Sequence, residues 1–202
     1  MVTTFLALIS IKSASFFPME VGAKYVYEET SNGKARSEDV VKPEIIVKGL
    51  PCFPVETRGQ GAPVQINIYR EEDGVLFLIG TDPKSPLPEP FPVAKIPTGP
   101  GSIRWDFKGK VSAAKGAETI EMIGEARLAG SRKVFGKNAD LLEVKVRSAL
   151  GDVVPLLTEQ TSIYARGIGL IESSSVTRIN KREVKSKLVL KEYIPASEAP
   201  TQ

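Results

Sequence analysis

Apolar side chains in this chain recur at every second position, and almost nowhere at helical spacing. Leu142, Val144 and Val146 alternate with Glu143, Lys145 and Arg147. Ile103, Trp105 and Phe107 alternate likewise, and Val184, Leu188 and Leu190 stand against Lys185, Lys187 and Lys191. Strand side chains point to opposite faces in turn, so this pattern makes half-buried strands rather than helices. Val64, Ile66 and Ile68 share one face of another strand, and Asp73-Gly74 follows before Val75 to Ile79. Asp-Gly between two such runs predicts a hairpin with a type I′ turn, because both residues accept positive φ. Asn32-Gly33 gives the same signal after Tyr25-Val26-Tyr27. The chain reads as about ten or eleven short strands joined by turns. The expected fold is all-β: an antiparallel meander curved into an open or half barrel, with a two-sheet sandwich as the alternative.

Residues 83–100 carry seven of the fifteen prolines. Proline cannot donate to a strand ladder, so this segment reads as an extended connector of polyproline character. It offers a surface to a proline-reading partner; a plain linker between two halves of the sheet is the simpler reading. At the N-terminus, Phe5 to Ile11 is a short apolar run followed by Ser13-Ala14-Ser15. That order matches the latter part of a secretory signal, although no Lys or Arg precedes it. Residues 1–15 are thus a candidate signal segment, with a first β-strand as the alternative. Residues 16–194 form one β domain, and 195–202 read as a disordered tail. A signal implies a periplasmic or secreted protein; a strand leaves it cytoplasmic.

The sequence has no His and one Cys. This excludes histidine-based triads, imidazole acid–base chemistry, histidine metal ligands and any internal disulfide. Cys52 reads as a small buried apolar residue. With 27 Lys+Arg against 24 Asp+Glu, the charge calls for no nucleic acid partner. Ser112-Ala113-Ala114-Lys115 has a serine-x-x-lysine spacing, but that chemistry needs a helix and this segment reads as a hairpin tip. Glu71-Glu72-Asp73 lacks calcium-loop spacing and reads as a solvated hairpin end. Gly167-Ile168-Gly169 lacks a strand–helix context and reads as a bulge or bend. Gly22, Gly167 and Gly169 are therefore structural candidates. Tyr25, Tyr27, Trp105, Phe107 and Tyr164 are candidates for a ligand groove, with core packing as the simpler reading. No metal or cofactor is expected. The basic hairpin over 178–191 offers contact with a membrane surface or cell wall; an edge strand guarded by lysines explains it as well.

Phe16-Phe17-Pro18, then Gly22 and Tyr25-Val26-Tyr27, resembles the opening of a group of bacterial cell-envelope proteins. The proline-rich approach to Trp105-Asp106-Phe107-Lys108-Gly109 matches their second signature. Tyr164-Ala165-Arg166-Gly167-Ile168-Gly169-Leu170-Ile171 matches their third, and Leu190 to Tyr193 their closing strand. The order agrees across residues 16–194, with Tyr25 where Trp is commoner. The resemblance implies an all-β secreted or lipoprotein domain. The function expected from it is a non-catalytic extracytoplasmic module with a binding or structural role, its partner an envelope protein or an apolar small molecule. A carrier holding a lipid or other apolar ligand on the concave sheet face is the alternative. A hydrolase using carboxylates alone ranks last.

Overall fold

A computed structural model describes residues 15–30, 35–113, 116–151, 156–180 and 182–196. The signal-like segment up to residue 14, the Asn32-Gly33 turn and the tail from 197 lie outside the described residues. Among the described residues thirteen strands form: β1 (Lys24–Glu29), β2 (Ala35–Val41), β3 (Ile45–Val47), β4 (Leu50–Gly59), β5 (Gln65–Glu72), β6 (Val75–Gly80), β7 (Phe91–Lys95), β8 (Ser102–Ala113), β9 (Gly116–Val134), β10 (Lys137–Leu150), β11 (Leu156–Ala165), β12 (Gly169–Ile179) and β13 (Arg182–Ile194).

Twelve of them make one antiparallel sheet in the order β7-β6-β5-β4-β2-β1-β13-β12-β11-β10-β9-β8, and β3 pairs with β4 beside it. This is one curved sheet, not a two-sheet sandwich. It closes further than a half barrel because the two ends of the chain pair: Lys24 faces Ile194, and Glu29 faces Leu188. One seam remains, between β7 and β8, which are consecutive in sequence. Side chains cross it. The rings of Phe91 and Phe107 meet edge to face at 5.3 Å. The Lys95 ammonium lies 5.9 Å from the centre of the Trp105 ring.

Asp73 and Gly74 have φ of 50° and 73° and join Glu72 to its partner Val75, as a type I′ turn requires. The proline-rich segment departs from expectation. Residues 91–95 within it form β7, with Pro92 opposite Phe77. β7 is an edge strand, so the missing donor at Pro92 costs no central ladder bond. The basic hairpin departs too: β13 lies between β12 and β1 and is not an edge. Its lysines guard no free strand. Ile66 shares a face with Ile68 but is 38% exposed, and Val64, 56% exposed, lies before the strand rather than in it. Ile68 packs with Val47, Cys52 and Ile79 in a small satellite core on the β3 side. Alternation then places Tyr69, not Ile68, toward the barrel interior.

The interior is filled in part by the chain's own N-terminal segment. Ser15 accepts a bond from the Gly167 amide at 2.8 Å. Its hydroxyl donates to Glu71 at 2.7 Å. These two bonds pin the segment between the β5–β6 hairpin and the β11–β12 turn. Phe16 and Phe17 then enter a core with Leu76, Trp105, Leu142 and Tyr164. The Arg166 guanidinium stands 4.3 Å from the centre of the Phe16 ring. Phe17 meets Tyr164 edge to face at 5.1 Å.

Candidate functional site

Beside this plug lies a partly open cavity of about 130 Å³, walled by Phe16 to Met19 and by residues from β1, β2, β4, β5, β6, β7, β11 and β12. The wall is mostly apolar and aromatic. Tyr25 and Tyr27 come from β1, Tyr69 from β5 and Tyr164 from β11. Alternate residues of one strand share a face, so Tyr25 and Tyr27 both reach inward. Their hydroxyls are already used. Tyr27 donates to the Leu170 carbonyl at 3.0 Å and Tyr25 to the Pro18 carbonyl at 3.4 Å. Tyr164 bonds the Ser162 hydroxyl. The cavity therefore meets their rings.

One charged residue lies on this wall: Asp39 of β2, the register partner of Tyr25. Its carboxyl is held above the usual carboxylate range by burial, and a bond from the Thr57 side chain offsets this in part. Outside the barrel the carboxylates behave oppositely. Glu56 beside Lys42 and Arg58, and Glu143 beside Arg127 and Lys145, are held below that range by their cationic partners. Burial pushes the phenols of Tyr25, Tyr27 and Tyr164 up, and that of Tyr69 up to about 12.

From Tyr164 a run of hydroxyls continues across the sheet. Ser162 meets Ser173 at 3.2 Å, and the Gln160 amide donates to both. Ser175 meets Ser186 at 2.9 Å.

Of the five groove candidates, Tyr25, Tyr27 and Tyr164 come together on this wall. Trp105 and Phe107 do not: they pack along the seam strand β8. Phe107 instead edges a wider open recess of about 510 Å³ that also takes in Met122, Ser148 and Thr158. Gly167 and Gly169 have φ of 75° and 103°. They turn β11 into β12, where Tyr164 faces Leu170 and Ile163 faces Glu172, so one residue is bulged. Gly169 also forms part of the cavity wall. Gly22, at φ 91°, shapes the entry to β1.

Sequence reading missed Asp39 and Tyr69. The strand Ala35–Val41 is polar on both faces until its end, so no alternation marks Asp39 as inward. Tyr69 stood on the face opposite the Val64-Ile66-Ile68 pattern. The remaining motifs carry no cluster. Glu71 accepts from Ser15, and Glu72 pairs with Arg70 at 3.0 Å. Ser112 and Ala113 end strand β8, and 114–115 lie outside the described residues. In the basic hairpin Arg178 pairs with Glu159 and Glu183, Lys185 with Glu183, and Lys187 with Glu172.

No family model matches this sequence, and no curated protein matches it. By fold it is similar to a protein of Parabacteroides distasonis ATCC 8503 described as a "putative lipoprotein". The TM-score is 0.54 at 12% identity, over 91% of this chain and 100% of that one. It is also similar to a protein of Bacteroides fragilis NCTC 9343 described as a "putative exported protein with YmcC-like fold". There the TM-score is 0.46 at 12% identity, over 90% of this chain and 99% of that one. At these identities the likeness is one of fold.

Proposed function

We propose that the chain is a non-catalytic binding module of a bacterial cell envelope, working in the periplasm or outside the cell. The observation that carries this reading is the cavity between the plug and the barrel wall. Its titratable groups are held toward their neutral forms by burial. A phenol held that far up supplies no base near neutral pH. Asp39 has no second carboxylate on the wall to share acid–base work. The apolar and aromatic wall supports a binding role.

The compartment rests on two supports: the signal-like order of residues 5–15 and the fold shared with the P. distasonis protein. It is tested by fusing alkaline phosphatase, which is active only after export, to the C-terminus of the full reading frame. Active fusion is expected; an expressed but inactive fusion overturns the compartment.

A carrier function is favoured by one feature, the aromatic and aliphatic lining of the cavity. Its volume is close to the ~150 Å³ of an apolar cavity that accepts benzene, and far below the ~300 Å³ where drug-sized sites begin. It suits a small molecule or one end of a larger one. Native mass spectrometry of freshly purified protein separates the readings. A co-purifying apolar adduct supports the carrier, and bare protein supports the module.

A further inference from the structure

We propose that the cavity is a site for a small organic ammonium ion, with Asp39 as its counter-charge and Phe17, Tyr25, Tyr27, Tyr69 and Tyr164 as its aromatic wall. This rests on the reading of the cavity as a binding site and names the chemistry of what enters it.

The first support is the composition of the wall. Aromatic rings attract cations through their electron-rich faces, most strongly where water is excluded. Three of the four tyrosines have spent their hydroxyls on Pro18, Leu170 and Ser162, which leaves ring surface to a ligand. The second support is the carboxylate. A buried charge is costly unless it is paired. The groups facing Asp39 are Tyr25 and Tyr27 from β1, Thr57 from β4, and Tyr69 from β5, none of them cationic. Arg58 and Lys42 are engaged with Glu56, which alternation places on the other face of β4 from Thr57. A cation entering the cavity supplies the partner that the fold withholds. The third support is size: about 130 Å³ admits a compact alkylammonium body.

Burial raises the Asp39 carboxyl above its ordinary value, and only its ionised form pairs with the cation. Below the raised value binding therefore displaces a proton, and affinity strengthens as pH rises through it, then levels off.

The test is calorimetric titration of the full chain with choline, with tetramethylammonium and with dimethylbutanol, which replaces the nitrogen of choline by carbon. The expected result is binding of both cations, with the neutral isostere weaker by about tenfold or more, the scale of a charge-assisted contact. Asp39→Asn keeps the shape and should lose about tenfold in cation affinity while leaving the isostere unchanged. Unchanged isostere binding by Asp39→Asn, together with a far-UV circular dichroism spectrum like the parent's, shows that its loss of cation affinity is not a folding defect. Equal binding of choline and its isostere overturns the ammonium assignment and leaves the cavity a binding site. Binding of neither probe overturns the assignment and removes the support for the cavity as a site. Cation binding that Asp39→Asn does not weaken overturns the role of Asp39.

Discussion

The indole of Trp105 occupies the space that a side chain at residue 124 would need. The two residues are register partners on β8 and β9, and a Cβ on Gly124 would overlap Cε2 and Cζ2 of the ring. Glycine in a strand is usually a weakness, because it gives up side-chain packing and raises the entropy lost on folding. Here it is the seat of the largest side chain in the core. Gly124→Ala should therefore destabilise the fold by roughly 1–3 kcal/mol, as overpacking does. Thermal melting with Trp105 fluorescence as the second probe checks this. Equal or higher stability would show that the indole has room to move.

The seam is predicted to be held by side chains. Phe91 and Phe107 face each other across it where no backbone ladder is present. A double-mutant cycle of Phe91→Ala and Phe107→Ala should give a coupling energy of about 0.5–1.5 kcal/mol beyond the two single losses. Strict additivity would mean that the seam is closed by something else.

Asp39 should make stability fall with pH. Its carboxyl holds a proton in the folded chain to higher pH than in the unfolded chain, where the reference value is 3.8. The folded state then binds more protons across that window, so stability declines as pH rises from about 3.8 through the raised folded value. Above it the cost of the buried charge is present in full. Asp39→Asn removes that cost. The variant should match the parent in acid and melt higher near neutral pH. A constant offset between the two melting curves across pH would contradict the burial.

Gly169 takes a φ of 103°, and a Cβ there would stand 3.6 Å from Pro18 Cδ and 3.7 Å from Tyr25 Cε1. Those are ordinary contacts, so the penalty for a side chain is in the backbone. Gly169→Val should cost roughly 1–3 kcal/mol, measured by denaturant unfolding. An unchanged midpoint would show that the turn accepts another conformation.

The strands were readable wherever one face is buried and the other wet. Leu142, Val144 and Val146 announced β10, and Asp73-Gly74 announced its hairpin. Two other hairpins gave little warning. Lys48-Gly49 and Phe135-Gly136 also place both residues at positive φ, yet Lys and Phe are not residues that favour it. β7 was hidden among prolines that only an edge position tolerates. The closure of the barrel depends on β1 meeting β13, a pairing between chain ends that no local pattern encodes. The site was readable in its tyrosines and not in Asp39. An inward carboxylate on a polar strand looks like any solvated residue until β1, β4 and β5 fold around it.

The most direct measurement is a crystal structure of the chain grown with choline. Phe16 to Met19 should be seated inside the barrel, with the quaternary nitrogen in the cavity beside Asp39 and the tyrosine rings around it. An empty cavity with choline bound elsewhere, or residues 16–19 lying outside the barrel, would contradict it.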